Sequence, residues 1–286
     1  MEINDLKHEI DEVSAYLRVL LQESGHRTKS AKHIVALAIK QLKGIITDVK
    51  LIEFLSTNPI GKLIGYEHRP DPTTFSKIRE RFDPQIIQHL ITELLLSRYK
   101  DIVVDKLVED STDVDAYSRS DKDAKWGKRT VPKKRQSVKK EDIEDFFGYK
   151  LHVVADADKE MPLSIAVISG NRNDKIMFPL LFGATKRDFR IRLGAKFLAD
   201  AQYHSTKIRE EVRDSGMNAL IPFSATKNRK REDPKDPDYG KRWSIERIFS
   251  RLKEMFNMTK NKFIGLRRVK MFVYSCVLAY LIEYLL

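Results

Sequence analysis

Three carboxylates in this chain stand where they can do joint chemistry: Asp110 closes the apolar run of KLVED, Asp200 closes that of AKFLAD, and Glu246 lies within YGKRWSIERIFSRLK. An Asp, Asp and Glu supplied by separate elements can hold two divalent cations about 3.5 to 4 Å apart. That geometry activates water and stabilises a leaving oxygen in phosphoryl transfer. Hard oxygen donors select Mg2+, with Mn2+ able to substitute. Asp105, Asp113 and Asp115 flank Asp110 but do not close the run, and Asp156 and Asp158 fit a hairpin turn. Asp174 fits a helix N-cap, and His152 and His204 lack the spacing of a histidine metal site, so all of these read as structural.

The surroundings of Glu246 supply basic partners. At about 100° per residue, Tyr239, Arg242, Glu246 and Lys253 fall at roughly 0°, −60°, −20° and −40° on one helical face. Ile245, Ile248, Leu252 and Met255 gather on the opposite side, which packs. Asp236 as N-cap and Pro237 as first helical residue predict a single helix beginning just before Tyr239. In a chain with 53 Lys/Arg and 41 Asp/Glu such a face is also what a solvated helix shows, so Glu246 gains meaning only beside the two aspartates.

The elements that must position these residues fall into two regimes. Residues 1–100 read as helices at about 5–23, 31–43, 48–56, 73–81 and 84–98, with no strand pattern among them. From about 106 the pattern becomes strand 106–111, hairpin strands 148–157 and 161–169, a helix from Asp174, strand 195–200, a helix from about 204, strand 218–222 and the Glu246 helix. The expected organisation is α/β: an all-helical region 1–100, then a mixed-sheet catalytic domain 101–286 carrying a basic insertion at 112–147. The segment RPDPTTFSKIRERF gives a capped helix start with Lys77, Arg79 and Arg81 behind it, which suits either contact with DNA or a helical cap on the catalytic core, the former favoured.

With these residues in view, the chain resembles the DDE transposases of bacterial and archaeal insertion sequences that carry the YREK signature. The resemblance rests on DST at Asp110–Thr112, on ADAQYHS around Asp200, and on Tyr239, Arg242, Glu246 and Lys253 in Y-x2-R-x3-E-x6-K spacing. The intervening GYKLHVVADADKEMPLSIAVISGNRND is similar to the family's second and third strands and the turn after them, and the likeness extends over about residues 70–286. The short interval from Asp200 to Glu246 leaves little room for the β-rich insertion of some relatives. The resemblance implies a ribonuclease-H-like core in which Asp110, Asp200 and Glu246 are catalytic and bind two Mg2+ ions. It further implies cleavage at insertion-sequence ends and strand transfer into target DNA, with Arg242 and Lys253 holding phosphates and Tyr239 positioning the backbone. A homodimer in the DNA complex is expected on the same ground. A ribonuclease-H-like nuclease without strand transfer, or an inactive DNA-binding relic, would keep the same residues or the same charge.

Composition points the same way. A formal charge of +12 favours a polyanion such as double-stranded DNA. Residues 119–140 carry ten Lys/Arg against two Asp, reading as a solvated loop that DNA can order. Lys133, Lys134 and Arg135 are its candidate phosphate contacts, Trp126 is a candidate for base stacking or for an anchor on the core, and Lys227–Arg231 form a second basic run. The single cysteine, Cys276, excludes an internal disulfide and a cysteine-rich zinc site. No GxxxxGK[ST] loop is present, so no nucleotide cofactor is expected. The apolar run MFVYSCVLAYLIEYLL has 16 residues with Glu283 inside, too short to span a bilayer, and reads as a buried helix. The N-terminal residues do not resemble a secretory signal, so the expected place of action is the cytoplasm, at the nucleoid.

Overall fold

A computed structural model describes residues 3–23, 30–131, 142–224 and 232–285. By contacts the chain forms two units, one of residues 1–98, 250–263 and 267–286 and one of residues 99–249 and 264–266. The second contains the sheet.

That sheet is built around β1 (Val103–Asp115). On one side β1 pairs antiparallel with β3 (Asp142–Asp156), which pairs antiparallel with β4 (Met161–Ser169). On the other side β1 runs parallel to β5 (Arg190–Ala199), and β5 parallel to β6 (Asn218–Leu220). The order β4-β3-β1-β5-β6, three antiparallel strands followed by two parallel ones, is the ribonuclease-H-like arrangement. Helices make the parallel connections: α7 (Phe178–Asp188) between β4 and β5, and α8 (Thr206–Asp214) between β5 and β6.

Alternation along the strands decides which face each residue serves. On β5, Phe197 packs edge-on against Phe178 and Phe182 of α7, at ring separations of 5.5 and 5.3 Å. Leu107 is its partner on β1, so Leu107, Glu109 and Ser111 belong to the α7 face. Lys196, Leu198 and Asp200, with Lys106, Val108 and Asp110, therefore share the other face.

β1 is longer than the expected 106–111. Past the apolar run it continues as Thr112 and Val114, buried and alternating with more exposed neighbours, paired to β3 as far as Asp115. Asp110 thus sits within a strand, not at its end. Part of the expected loop is also strand: β2 (Lys125–Val131) pairs with residues 142–148 of β3. Gly148 is the pivot at which β3 changes partners, and a Cβ there would lie 2.2 Å from the Val114 carbonyl oxygen.

The helical unit contains α1 (Ile3–Glu23), α2 (Ala31–Leu42), α3 (Asp48–Thr57), α4 (Pro59–Leu63), α5 (Thr74–Arg81) and most of α6 (Pro84–Tyr99) and of α10 (Leu266–Tyr284). In α1, Ile10, Val13, Leu17 and Leu21 recur at helical spacing and are fully buried. The short helix α4 was not expected, because Pro59 marks a stop for α3. It also starts a new turn, with Asn58 capping the Ile60 amide at 3.0 Å. Every residue of α10 from Met271 to Ile282 is buried, and among the described residues no helix is long and apolar enough to cross a membrane.

Candidate active site

Asp110 and Asp200 meet because β1 and β5 run parallel in fixed register. Glu109 pairs with Ala199, so the next residue on each chain is the carboxylate, on the same face. Asp200 also caps the turn that follows it, accepting from the Gln202 amide at 2.8 Å, while Asp110 accepts from the Ser111 amide at 2.7 Å. Burial and, next, repulsion from Asp200 push the Asp110 pKa well above the usual carboxylate range; the Ser111 amide and Arg242 oppose this without cancelling it. Burial raises Asp200 likewise, with repulsion from Asp174 adding to it and the Gln202 amide and Arg242 working against it.

Glu246 arrives on α9 (Trp243–Glu254), in its first turn. Arg242 joins the groups: its guanidinium lies 3.1 Å from Glu246 and 3.9 Å from Asp110, with the side chain only 12% exposed. The same guanidinium sits 4.7 Å from the Trp243 ring centre.

The expected continuous helix from Pro237 is not what forms. Residues Pro237–Arg242 make a tighter 3-10 segment, capped by Asp236 at the Asp238 amide, and the α-helix begins at Trp243. Ion pairs fix this segment to the sheet. Lys196 of β5 binds Asp236 at 2.9 Å and Asp238 at 2.5 Å, and Lys241 binds Asp158 at 3.2 Å. Angles of 100° per residue therefore do not carry from Tyr239 to Glu246; tertiary ties hold Tyr239 and Arg242 instead. Ile245, Ile248 and Leu252 are fully buried as expected, but Met255 lies beyond the helix end and is half exposed. Lys253 is half-buried, seven residues beyond Glu246 and two turns along α9, in the segment 250–263 that groups with the helical unit.

Asp110 and Asp200 suit a divalent cation by their chemistry, since a bound cation would offset the burial and the carboxylate repulsion that raise them. Among the described residues, however, no three His, Cys, Asp or Glu side chains come close enough to hold an ion as they stand. The positive charge between Asp110 and Glu246 is that of Arg242.

Other candidates resolve differently. Lys133, Lys134, Arg135 and the run Lys227–Arg231 lie outside the described residues. Trp126 is 53% exposed on β2, packed beside Phe147 at 5.5 Å and under the Arg119 guanidinium at 4.3 Å. The two aspartates of the basic segment are turned to internal use: Asp121 accepts from Tyr149 and from the Gly265 amide, and Asp123 from the Leu266 amide. Arg79 is buried, pairs with Asp48 at 2.7 Å and lies over the Phe263 ring, so of the α5 cations only Lys77 and Arg81 are exposed. Asp174 is not an N-cap; Asn173 takes that place, accepting from the Lys175 amide, and Asp174 is buried beside the site. Its spacing after GNRN was visible in the sequence, but its burial was not.

A family model described as the transposase DDE domain matches residues 105–282. No curated protein matches the chain. Among solved structures, a piggyBac transposase synaptic complex with hairpin DNA is 11% identical, over 96% of this chain and 72% of that one, with a TM-score of 0.45. The Mos1 strand transfer complex is 15% identical, over 87% of this chain and 78% of that one, with a TM-score of 0.28. At such scores the strand order, not the superposition, carries the fold. The family match spans most of the chain and both strands that bear the aspartates, and the chain belongs to the transposase DDE domain family, as a DNA transposase.

Proposed function

We propose that Asp110, Asp200 and Glu246 are the catalytic carboxylates of this transposase and hold two Mg2+ ions, for which Mn2+ substitutes. The observation that carries this is the parallel register that sets Asp110 beside Asp200, with Arg242 reaching from Asp110 to Glu246. When bound, such ions would supply the activation of water for cleavage at the element end and of the freed 3′-hydroxyl for attack on target DNA. The chain's own residues do the rest. Asp110 and Asp200 offer oxygens at fixed spacing, and Glu246 must exchange its pairing with Arg242 for a place in the ligand set. Arg242, once released, faces the scissile phosphate, with Lys253 further along α9 as a second phosphate contact and Tyr239 beside the DNA backbone. No covalent protein intermediate is required.

We further assign residues 1–100 to recognition of the transposon end and Lys133, Lys134 and Arg135 to sequence-independent phosphate contact, with a homodimer acting on paired ends. The acting compartment is then the nucleoid.

The test separates cleavage from binding. Asp110→Asn, Asp200→Asn and Glu246→Gln should each lower metal-dependent end cleavage by more than about 10²-fold, the usual loss for one group acting on transition-state charge, while end binding persists. In the same binding assay, neutralising Lys133, Lys134 and Arg135 should weaken specific and unrelated DNA alike and flatten the salt dependence. Near wild-type cleavage by any carboxylate variant removes that residue from the site.

A further inference from the structure

The crossover from β4 to α7 passes beside both aspartates, and two consecutive side chains of it reach one each of the segments that bear them. Asp174, only 5% exposed, accepts from Ser111 Oγ at 3.0 Å, and Ser111 is the residue after Asp110. Lys175 donates from Nζ to the His204 carbonyl at 2.6 Å, at the end of the turn that Asp200 caps. The two short 3-10 segments, Asp174–Ile176 and Ala201–Tyr203, pack directly on each other.

Asp174 is held firmly in this position. Lys150 of β3 binds the same carboxylate oxygen at 2.8 Å, and the His152 ring lies 3.8 Å from it, fully buried. A capping carboxylate at the surface needs none of this. Burying a carboxylate is costly unless it is paired, and here its partners are the strand that carries Asp110 and the strand beside it. Its negative charge also bears on both Asp110 and Asp200, raising each.

We propose that Asp174 and Lys175 are positioning residues, a two-point clamp that fixes the spacing between Asp110 and Asp200 and so the affinity for the metal ions. The proposal rests on the reading of Asp110 and Asp200 as metal ligands. Neither residue touches the ion; each acts through the segment it grips. Parallel pairing sets the spacing only as far as Glu109 and Ala199, where the β1–β5 ladder ends. Beyond that point the chain of Asp200 departs into its turn, and the Lys175 bond is what ties that turn to the crossover.

Calorimetric titration of Mn2+ into the full chain reads the clamp without relying on turnover. Asp174→Ala and Lys175→Met should weaken Mn2+ binding about tenfold, the lower end of what loss of a ligand-orienting contact costs. Asp174→Asn, which keeps an oxygen for Ser111 Oγ, should recover part of the loss. Melting curves report folding, and because Lys175 is half-buried and not part of the Lys150–His152 group, Lys175→Met decides the matter if Asp174→Ala does not fold. Asp110→Asn serves as the reference that abolishes binding. Wild-type Mn2+ affinity in both clamp variants, with loss in Asp110→Asn, would overturn the clamp alone. Wild-type affinity in Asp110→Asn, or no Mn2+ binding by the wild type, would overturn the metal-site reading and the clamp with it.

Discussion

Arg242 is the residue on which the site's electrostatics turn. It lowers Asp110 and Asp200 against the burial and repulsion that raise them, and it pairs with Glu246. As an i,i+4 pair whose carboxylate is 43% exposed, the Arg242–Glu246 contact is worth about 0.5 kcal/mol or less to folding. Its removal should therefore be felt in catalysis and not in stability. Arg242→Ala is expected to slow cleavage of pre-bound ends by about 10²-fold while leaving the melting temperature nearly unchanged, and Arg242→Lys to recover only part, since an ammonium lacks the planar fork. Paired melts and single-turnover cleavage decide this; a melt lowered as far as that of Ile248→Ala would make Arg242 structural. At this scale residue type and order were legible: carboxylates closing apolar runs and the Tyr-Arg-Glu-Lys spacing named Asp110, Asp200, Glu246 and Arg242 as candidates. Asp174 and Arg79 were misplaced because a charged side chain gives no local sign of burial: Asp174 is enclosed by Ser111 and Lys150, Arg79 by Asp48 and Phe263, all distant in sequence.

The elements were legible in kind and less so in extent. The expected strands and helices appear in order, with α4 and β2 added between them, yet β1 overruns its apolar run, where Thr112 and Val114 are buried and paired with β3, a long-range effect that hydropathy does not show. Likewise, the change from 3-10 to α-helix at Trp243 accompanies ion pairs between Lys196 and the Asp236–Asp238 turn, which helical periodicity does not show. Gly148 concentrates this element-level constraint. Any side chain there meets the Val114 carbonyl, so Gly148→Ala should cost about 1 to 3 kcal/mol as overpacking does. Hydrogen exchange of residues 125–131 and 142–148 should rise selectively in that variant. Unchanged protection would mean that β3 does not pivot at Gly148.

At the scale of the whole molecule, the contact division is not a break at residue 100: segments 250–263 and 267–286 group with the N-terminal helices. Sequence order hides such a return, since nothing in an apolar helix names its neighbours. Within the helical unit the buried cations Lys40 and Arg79 meet the half-buried Asp48, which is bonded to both at 2.7 Å. Burial works to raise Asp48, but hydrogen bonds and attraction from Arg79 and Lys40 outweigh it and lower the pKa to about 2. A carboxylate depressed in the folded state contributes stability above its unfolded pKa near 4 and loses it as pH falls through about 2, here roughly 2 kcal/mol. Melts between pH 5 and pH 2 should fall more steeply for the wild type than for Asp48→Asn, which is already weakened at pH 5. Parallel acid dependence in the two would remove Asp48 as the cause.

The central claim is that Asp110, Asp200 and Glu246 bind the metal that cuts DNA, and exchange of an oxygen ligand for sulfur tests it most directly. In Asp200→Cys, cleavage of end DNA with Mg2+ should fall by more than about 10²-fold and be partly restored by Mn2+, because thiolate tolerates the softer ion and disfavours the harder one. Cleavage by Asp200→Cys that is equally impaired in both ions, or unimpaired in Mg2+, would contradict a metal site at Asp200.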